Sequence, residues 1–88
     1  MAGLTLLLSQ EIFMDYKTRI ITDPDIMLGK PLVKGTRISV ELILNKMSED
    51  MAESEILAAY PQLTHEDILA VLSYSAAVIS REEMVAVS

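Results

Sequence analysis

Apolar positions in the second half of the chain recur with a helical period. From residue 40 their spacing is i, i+3, i+4 and i+7, which places them on one helix face: Val40, Ile43, Leu44 and Met47. Ser39 is a suitable N-cap because its hydroxyl can accept a hydrogen bond from a free amide of the first turn. We therefore predict a first helix that begins after Ser39 and ends between Ser48 and Asp50.

A short second helix is predicted over residues 53–59, with Ile56 and Leu57 facing inward. The Tyr60-Pro61 pair ends it, because proline disfavours helical geometry in the residue before it.

The third predicted helix carries the longest periodic stripe in the chain. Thr64 can cap it, and Asp67, three residues on, is a shorter-armed version of the capping box. The stripe is made of Ile68, Val71, Leu72, Ser75, Ala76 and Ile79. We expect this helix to reach Ser80, and the pattern leaves a continuation to Met84 open.

Before the helices, two short β-prone runs alternate with turn signals. The runs are residues 19–22 and Leu32-Val33, and the turns are expected at Asp23-Pro24, Gly29-Lys-Pro31 and Gly35-Thr-Arg37. The fold class predicted is mainly α: a three-helix bundle with a helix-turn-helix, preceded by a short extended or hairpin arm. One domain over residues 17–80 would then be flanked by an apolar extension, 1–16, and a tail, 81–88.

Composition excludes several classes of function. The 88 residues include no cysteine and a single histidine, His65. A disulfide framework, a cysteine zinc site and a multi-histidine metal site are therefore excluded. The sequence also contains no P-loop and no HExxH motif. We accordingly expect a protein that is not an enzyme and has no cofactor or metal.

The net charge of −6 argues against general nucleic-acid binding, but the charges are unevenly distributed. Five basic residues and two acidic ones lie between Lys17 and Arg37. The four-residue connection Tyr60–Leu63 has helix-turn-helix spacing, which would direct the start of the third helix at a DNA groove. We expect Lys30, Lys34 and Arg37 to contact phosphates, and Gln62, Thr64 and His65 to meet the groove.

The same residues leave a second interpretation open. Glu66 and Asp67 lie at the tip of the proposed recognition helix, which has no Lys or Arg before Arg81. A stand-alone module that never binds DNA, and that docks a basic partner on its acidic helical face, is the alternative.

Seven short motifs occur together in a fixed order: Arg19-Ile-Ile-Thr-Asp-Pro24, Gly29-Lys-Pro31, Gly35-Thr-Arg-Ile-Ser-Val40, Glu55-Ile-Leu57, Tyr60-Pro61, Leu63-Thr64 and Glu66-Asp-Ile68. With them the chain resembles the domain-of-unknown-function family 433 over about two-thirds of its length. The resemblance implies a small prokaryotic protein with a homeodomain-like three-helix fold. It also implies an antitoxin-like role in a type II toxin–antitoxin pair: a dimer that binds double-stranded DNA at its own operator and masks a PIN-like ribonuclease toxin.

The chain departs from the family pattern at two positions. Asp50 stands where the family usually has glycine between the first two helices, and Asp tolerates the left-handed conformation needed there. Ala52 replaces the usual Ser or Thr cap of the second helix, a loss typically worth about 1 kcal/mol.

Both ends of the chain carry more apolar residues than a core of this size can cover. We predict a homodimer or partner interface that includes Leu4, Leu6, Leu8, Phe13, Ile79 and Met84.

Met1 and Met14 are alternative starts. The N-terminal apolar run is too short to span a membrane and lacks the basic flank of a signal peptide, so a cytoplasmic location without membrane association is expected.

Overall fold

A computed structural model describes the backbone of residues 16–87 and the side chains of residues 16–81. The first described elements are a turn of 3-10 helix, Tyr16–Thr18, and strand β1, Ile20–Ile21. Strand β2, Leu32–Val33, pairs antiparallel with β1, with Ile20 opposite Val33. The predicted extended arm is thus a two-stranded hairpin.

The hairpin loop is shaped by local hydrogen bonds and left-handed backbone. The amide of Asp25 donates to the carboxylate of Asp23 over 2.9 Å, which forms the expected Asx turn before a second 3-10 turn, Met27–Gly29. Met27, Leu28 and Gly29 all have positive φ, and Leu28 is 95% exposed. The loop therefore holds strained backbone at a solvent-exposed tip.

Three helices follow, which confirms the mainly helical fold. They are α1 (Val40–Ser48), α2 (Glu53–Ala59) and α3 (His65–Val87). The last continues without a break across residue 80, where the sequence pattern placed the start of a tail.

The helix ends are stabilised largely as the sequence predicts. The Ser39 hydroxyl accepts a hydrogen bond from the Leu42 amide over 3.0 Å. Asp50 has a φ of +68°, the left-handed conformation expected where the family has glycine. Ala52 provides no cap, but the Glu55 carboxylate accepts from the Ala52 amide over 2.8 Å, so α2 keeps half of a capping box.

The core lies where the hairpin and the three helices converge. Its largest fully buried side chains come from β2 and from all three helices: Leu32, Val33, Ile43, Ile56, Ile68 and Val71. Val40 is also buried, and Leu44 and Met47 pack against the cluster. The apolar face predicted for the first helix and the inward position of Ile56 are therefore confirmed.

The face predicted for the third helix is wrong at three positions. Leu72, Ala76 and Ile79 are exposed, whereas Ala70 is fully buried. Residues 68–72 are apolar without interruption, so the helical period alone cannot decide which side of α3 faces the core. In the folded chain, the side of α3 that carries Asp67 lies against the hairpin region, where Asp67 pairs with Arg19.

Candidate nucleic-acid interface

Reciprocal hydrogen bonds close the N-terminus of α3. The Thr64 amide donates to Oδ2 of Asp67 over 2.9 Å, and the Asp67 amide donates to Oγ1 of Thr64 over 3.2 Å. This is the capping box that the sequence predicts, with Asp in place of Glu. The other carboxylate oxygen, Oδ1, lies 3.1 Å from Nη1 of Arg19 at the start of the hairpin. The start of α3 is therefore fixed to the hairpin.

The connection between α2 and α3 is a tight turn with one buried anchor. The Tyr60 amide donates to the carbonyl of Ile56, and the Leu63 amide donates to the carbonyl of Tyr60, each over 2.9 Å. Leu63 is buried, whereas Gln62 is exposed. The turn thus presents the Gln62 amide group to solvent directly before the first residues of α3.

The turn after β2 presents two cations. Gly35 has a φ of +81°, and the Thr36 amide donates to the carbonyl of Val33 over 3.0 Å. The Thr36 hydroxyl donates to the same carbonyl and accepts from the Ile38 amide. These two residues therefore form the predicted turn: Gly35 permits its left-handed backbone, and Thr36 satisfies backbone groups. Lys34 and Arg37, on either side, are exposed.

The two turns meet at one cleft. Arg37 from the hairpin and Gln62 from the helix-turn-helix connection both line it, with a volume of about 540 Å³. Gly35 and Thr36 form part of the same wall, and Ile21 and Ile26 contribute apolar surface. Among residues 16–81, neither Lys34 nor Arg37 makes an ion pair. The cleft therefore combines an amide with a free guanidinium, and a free ammonium group lies next to it in sequence.

The remaining predicted contact residues are held elsewhere. The Nζ of Lys30 lies 2.9 Å from Oε1 of Glu41 in the first turn of α1, and Lys30 does not line the cleft. Thr64 uses its hydroxyl in the capping box. Nδ1 of His65 lies 2.7 Å from Oε2 of Glu53, which links α3 to α2. The structure thus unites Arg37 with Gln62 and separates both from Lys30.

The acidic residues near this surface are partly compensated. Asp67 is paired with Arg19, and Glu53 is hydrogen-bonded to His65. Glu66 remains as an exposed carboxylate in the first turn of α3. At the start of α3, Arg19 therefore offsets the charge of Asp67, whereas Glu66 has no cationic partner within residues 16–81.

Arg19, Ile21 and Ile26 also contribute to this region, although none of them was predicted as a site residue. Arg19 fixes α3 through Asp67, and the two isoleucines form the apolar part of the cleft. Local spacing carries no signal for these contacts, because they depend on the hairpin folding against the start of α3.

Most of the predicted interface cannot be placed. Leu4, Leu6, Leu8, Phe13 and the side chain of Met84 lie outside the described residues. Ile79 is described, and it is 55% exposed.

The described part of the chain holds no group of three acidic or histidine side chains arranged to bind a metal ion. None of its helices combines the length and the apolar character required to cross a bilayer.

Comparison with known proteins agrees with this architecture. A crystal structure at 2.00 Å of a DUF433 member protein from Anabaena variabilis superposes with a TM-score of 0.67. The sequences are 23% identical, and the match covers 99% of this chain and 82% of that one. No curated protein matches. The family described as "Protein of unknown function (DUF433)" matches residues 20–75, which include the hairpin, the cleft and most of the helical core. The chain therefore belongs to the DUF433 family.

Proposed function

We propose that this protein is a non-enzymatic regulator that binds double-stranded DNA at the cleft between the hairpin turn and the helix-turn-helix connection. The observation that carries the proposal is the position of Arg37 beside Gln62. A guanidinium next to a groove-reading turn can neutralise a backbone phosphate while the following helix enters the major groove.

Lys34 and Arg37 supply the phosphate contacts. Neither is consumed by an internal ion pair within residues 16–81, so neither must break one to bind. Lys30 would first have to leave Glu41 and is therefore a weaker candidate. If each protomer neutralises two phosphates, the logarithm of its association constant should fall linearly with the logarithm of the salt concentration, with a slope of about −2 for each protomer.

Gln62 and His65 supply the groups that distinguish bases. The amide of Gln62 can donate and accept, as a bidentate contact to adenine requires. An ionised Glu53 carboxylate can only accept, so Nδ1 of His65 carries the proton in their hydrogen bond. In the neutral imidazole, Nε2 is then an acceptor, suited to an exocyclic amino group in the groove.

The test is a fluorescence-anisotropy titration of the full chain against a duplex from its own upstream region, at two salt concentrations. The double variant Lys34→Glu/Arg37→Glu should abolish binding. Lys46→Glu/Arg81→Glu makes the same charge change away from the cleft and is the matched control. Equal losses in the two variants would show that only total charge matters, and unchanged affinity in the first would refute the assigned surface.

A second substitution separates base contact from phosphate contact. Gln62→Ala should reduce the preference for the upstream duplex over a random duplex, and it should leave the salt slope unchanged. A reduced salt slope with intact preference would contradict the role given to Gln62.

As part of the same proposal, the protein acts as a dimeric antitoxin whose partner is a PIN-like ribonuclease. Its support is the resemblance to family members of this kind, together with the surplus of apolar residues at both ends of the chain. Co-expression with the product of an adjacent reading frame tests it: copurification with suppressed ribonuclease activity is expected. If the two proteins do not copurify and the ribonuclease activity is not suppressed, the antitoxin role is refuted, and the result of the DNA titration is not affected.

One observation favours the alternative function, a module that docks a basic protein. Four exposed carboxylates have no cationic partner within residues 16–81: Glu49 and Asp50 before α2, Glu55 in α2, and Glu66 in the first turn of α3. If the protein shows no preference for its upstream duplex at low salt, these carboxylates become the leading candidates for partner binding.

A further inference from the structure

An apolar groove runs between α1 and the middle of α3, and its volume is about 270 Å³. A cavity of about 150 Å³ holds a molecule the size of benzene, so this groove has room for more than one apolar side chain. It shares no lining residue with the cleft that carries the proposed DNA contact. Its apolar walls are formed by Pro31, Val40, Leu44, Tyr74, Val78 and Ile79.

The polar groups of the groove are already engaged within the chain. The Ser75 hydroxyl in the wall donates to the carbonyl of Val71 over 2.7 Å. The Glu41 carboxylate at the rim lies 2.9 Å from Nζ of Lys30. Since a buried charge would find no free partner here, the groove favours an uncharged apolar side chain as its occupant.

The loop of the hairpin presents an apolar side chain of this kind. Leu28 is 95% exposed, more than any other large apolar side chain within residues 16–81, and the neighbouring Met27 is 40% exposed. Their φ angles of +59° and +48° are left-handed, a conformation that residues other than glycine adopt rarely. Strain of this kind persists where the surrounding structure holds it, and it is concentrated at functional segments.

Hydrogen bonds hold the loop in this conformation. The Ile26 amide donates to the carbonyl of Asp23 over 2.9 Å, and the Lys30 amide donates to the carbonyl of Met27 over 3.2 Å. Leu28 is thus presented to solvent by a loop that is already ordered. A partner that buries Leu28 therefore does not first have to order the backbone, which lowers the entropic cost of binding.

The loop lies next to the groove. Pro31 in the groove wall is three residues after Leu28, so their Cα atoms are at most about 11 Å apart. Lys30, between them in sequence, pairs with Glu41 at the rim. When a projection lies beside a groove, a two-fold axis can place each projection in the groove of the other copy. The contact is then made twice, and the assembly closes with two copies.

We propose that two copies of this chain associate through these features: Leu28 and Met27 of each copy enter the α1–α3 groove of the other, against Leu44 and Ile79. The inference rests on the dimeric part of the proposed function, for which it supplies the interface, and not on DNA binding. Because the contact is apolar, it brings no unpaired charge of the two acidic chains together.

The size of the interface sets its expected strength. Each copy contributes eight lining residues and two loop residues, whereas a standard interface has roughly 20–30 residues a side. We therefore expect reversible association in the micromolar range, with monomers in dilute solution.

Sedimentation equilibrium of the full chain without DNA tests the contact. Leu28→Lys and Ile79→Glu each place a charge in the apolar contact, and each should weaken self-association roughly tenfold or more. Both positions are exposed, so the fold should be retained, and far-UV circular dichroism checks it. Leu69→Lys is the matched control, because Leu69 is 38% exposed on α3 and does not line the groove. Its association should equal that of the natural chain.

An equimolar mixture of Leu28→Lys and Ile79→Glu gives a result that a folding defect cannot produce. In a two-fold dimer of the two variants, one contact joins the introduced ammonium group to the introduced carboxylate, and the other contact keeps Leu28 and Ile79 unchanged. We expect the mixture to form heterodimers roughly tenfold or more tightly than either variant associates with itself.

Several results would overturn the proposal: a natural chain that stays monomeric up to about 1 mM, unchanged association in either groove or loop variant, or no gain in the mixture. Equal weakening by Leu69→Lys would place the interface on the outer face of α3. A reduced preference of Leu28→Lys for the upstream duplex, with unchanged association, would assign the loop to DNA. Failure of the proposed DNA binding would instead appear in the anisotropy titration and would leave these association constants unchanged.

Discussion

Asp67 holds the start of α3 in place through two interactions, and its replacement by alanine removes both. One carboxylate oxygen accepts from the Thr64 amide, and the other lies 3.1 Å from Nη1 of Arg19. The side chain is 9% exposed, whereas that of Arg19 is 38% exposed. The substitution therefore leaves the Thr64 amide without its hydrogen-bond acceptor, and it leaves the Arg19 guanidinium without its carboxylate partner.

The magnitude follows from these two losses. Loss of the hydrogen bond from the Thr64 amide costs about 1 kcal/mol, whereas the Thr64 hydroxyl still accepts from the amide of residue 67. A hydrogen bond to a charged group contributes about 1.5–3 kcal/mol, and the exposure of Arg19 favours the lower end of that range. Asp67→Ala should therefore reduce the free energy of unfolding by about 2–3 kcal/mol. A chain of 88 residues has a total of roughly 4–13 kcal/mol, so this is a large fraction of it.

Urea unfolding followed by far-UV circular dichroism measures the effect. Glu66→Ala is the matched control, because it removes an exposed carboxylate from the same helical turn and should cost less than about 1 kcal/mol. The cycle Arg19→Ala, Asp67→Ala and the double variant should give a coupling energy of about 1 kcal/mol. If Asp67→Ala loses no more stability than Glu66→Ala, the proposed fixing of α3 to the hairpin is refuted.

Three further substitutions test the backbone and the core. Asp50→Gly should stabilise the protein by about 0.5–1 kcal/mol, because glycine adopts the φ of +68° without steric cost. A thermal melt measures this effect. The control is Glu49→Gly, at a φ of −89°, which should not raise the melting temperature. Gly35→Ala should destabilise by about 1–2 kcal/mol through the backbone alone, since no heavy atom lies within 4 Å of an added Cβ; an unchanged urea midpoint would contradict this. Ile43→Ala, at a fully buried position, should cost about 3–4 kcal/mol, whereas Leu28→Ala, at a 95% exposed one, should stay within about 0.5 kcal/mol. Similar losses at both sites would show that the assigned core is incorrect.

Features that depend on near neighbours were predictable from the sequence. The Ser39 cap and the Thr64–Asp67 capping box each involve residues within one turn of one another. The left-handed Asp50 was expected from the resemblance to the family, which usually has glycine there. In such features the chemistry of one or two side chains decides the backbone, so a short stretch of sequence contains the whole interaction. The two short strands were expected to form either an extended arm or a hairpin, and their antiparallel pairing shows the hairpin.

The composition of the candidate site could be predicted only in part. Lys30, Lys34 and Arg37 looked equivalent as basic residues of one segment. The structure separates them, since Lys30 pairs with Glu41 and only Arg37 lines the cleft with Gln62. Whether a cation is free or paired depends on the residues that the fold places beside it, and these lie 11 or more positions away in the chain.

By itself, the sequence determined the three helices, their order and most of their ends, because helical period and capping are local properties. The tertiary structure decided which side of α3 faces the core. Five consecutive apolar residues at 68–72 offered more than one suitable face, and the burial of Ile68, Ala70 and Val71 against the rest of the core goes with one of them. On the same side of α3, Asp67 pairs with Arg19 across 48 positions of sequence. With this face inward, Ala70 is buried while Leu72 and Ile79 are exposed, and the apolar groove with α1 follows from that choice. A contact between distant residues has no periodic signature along the chain, and for that reason only the folded structure could show it.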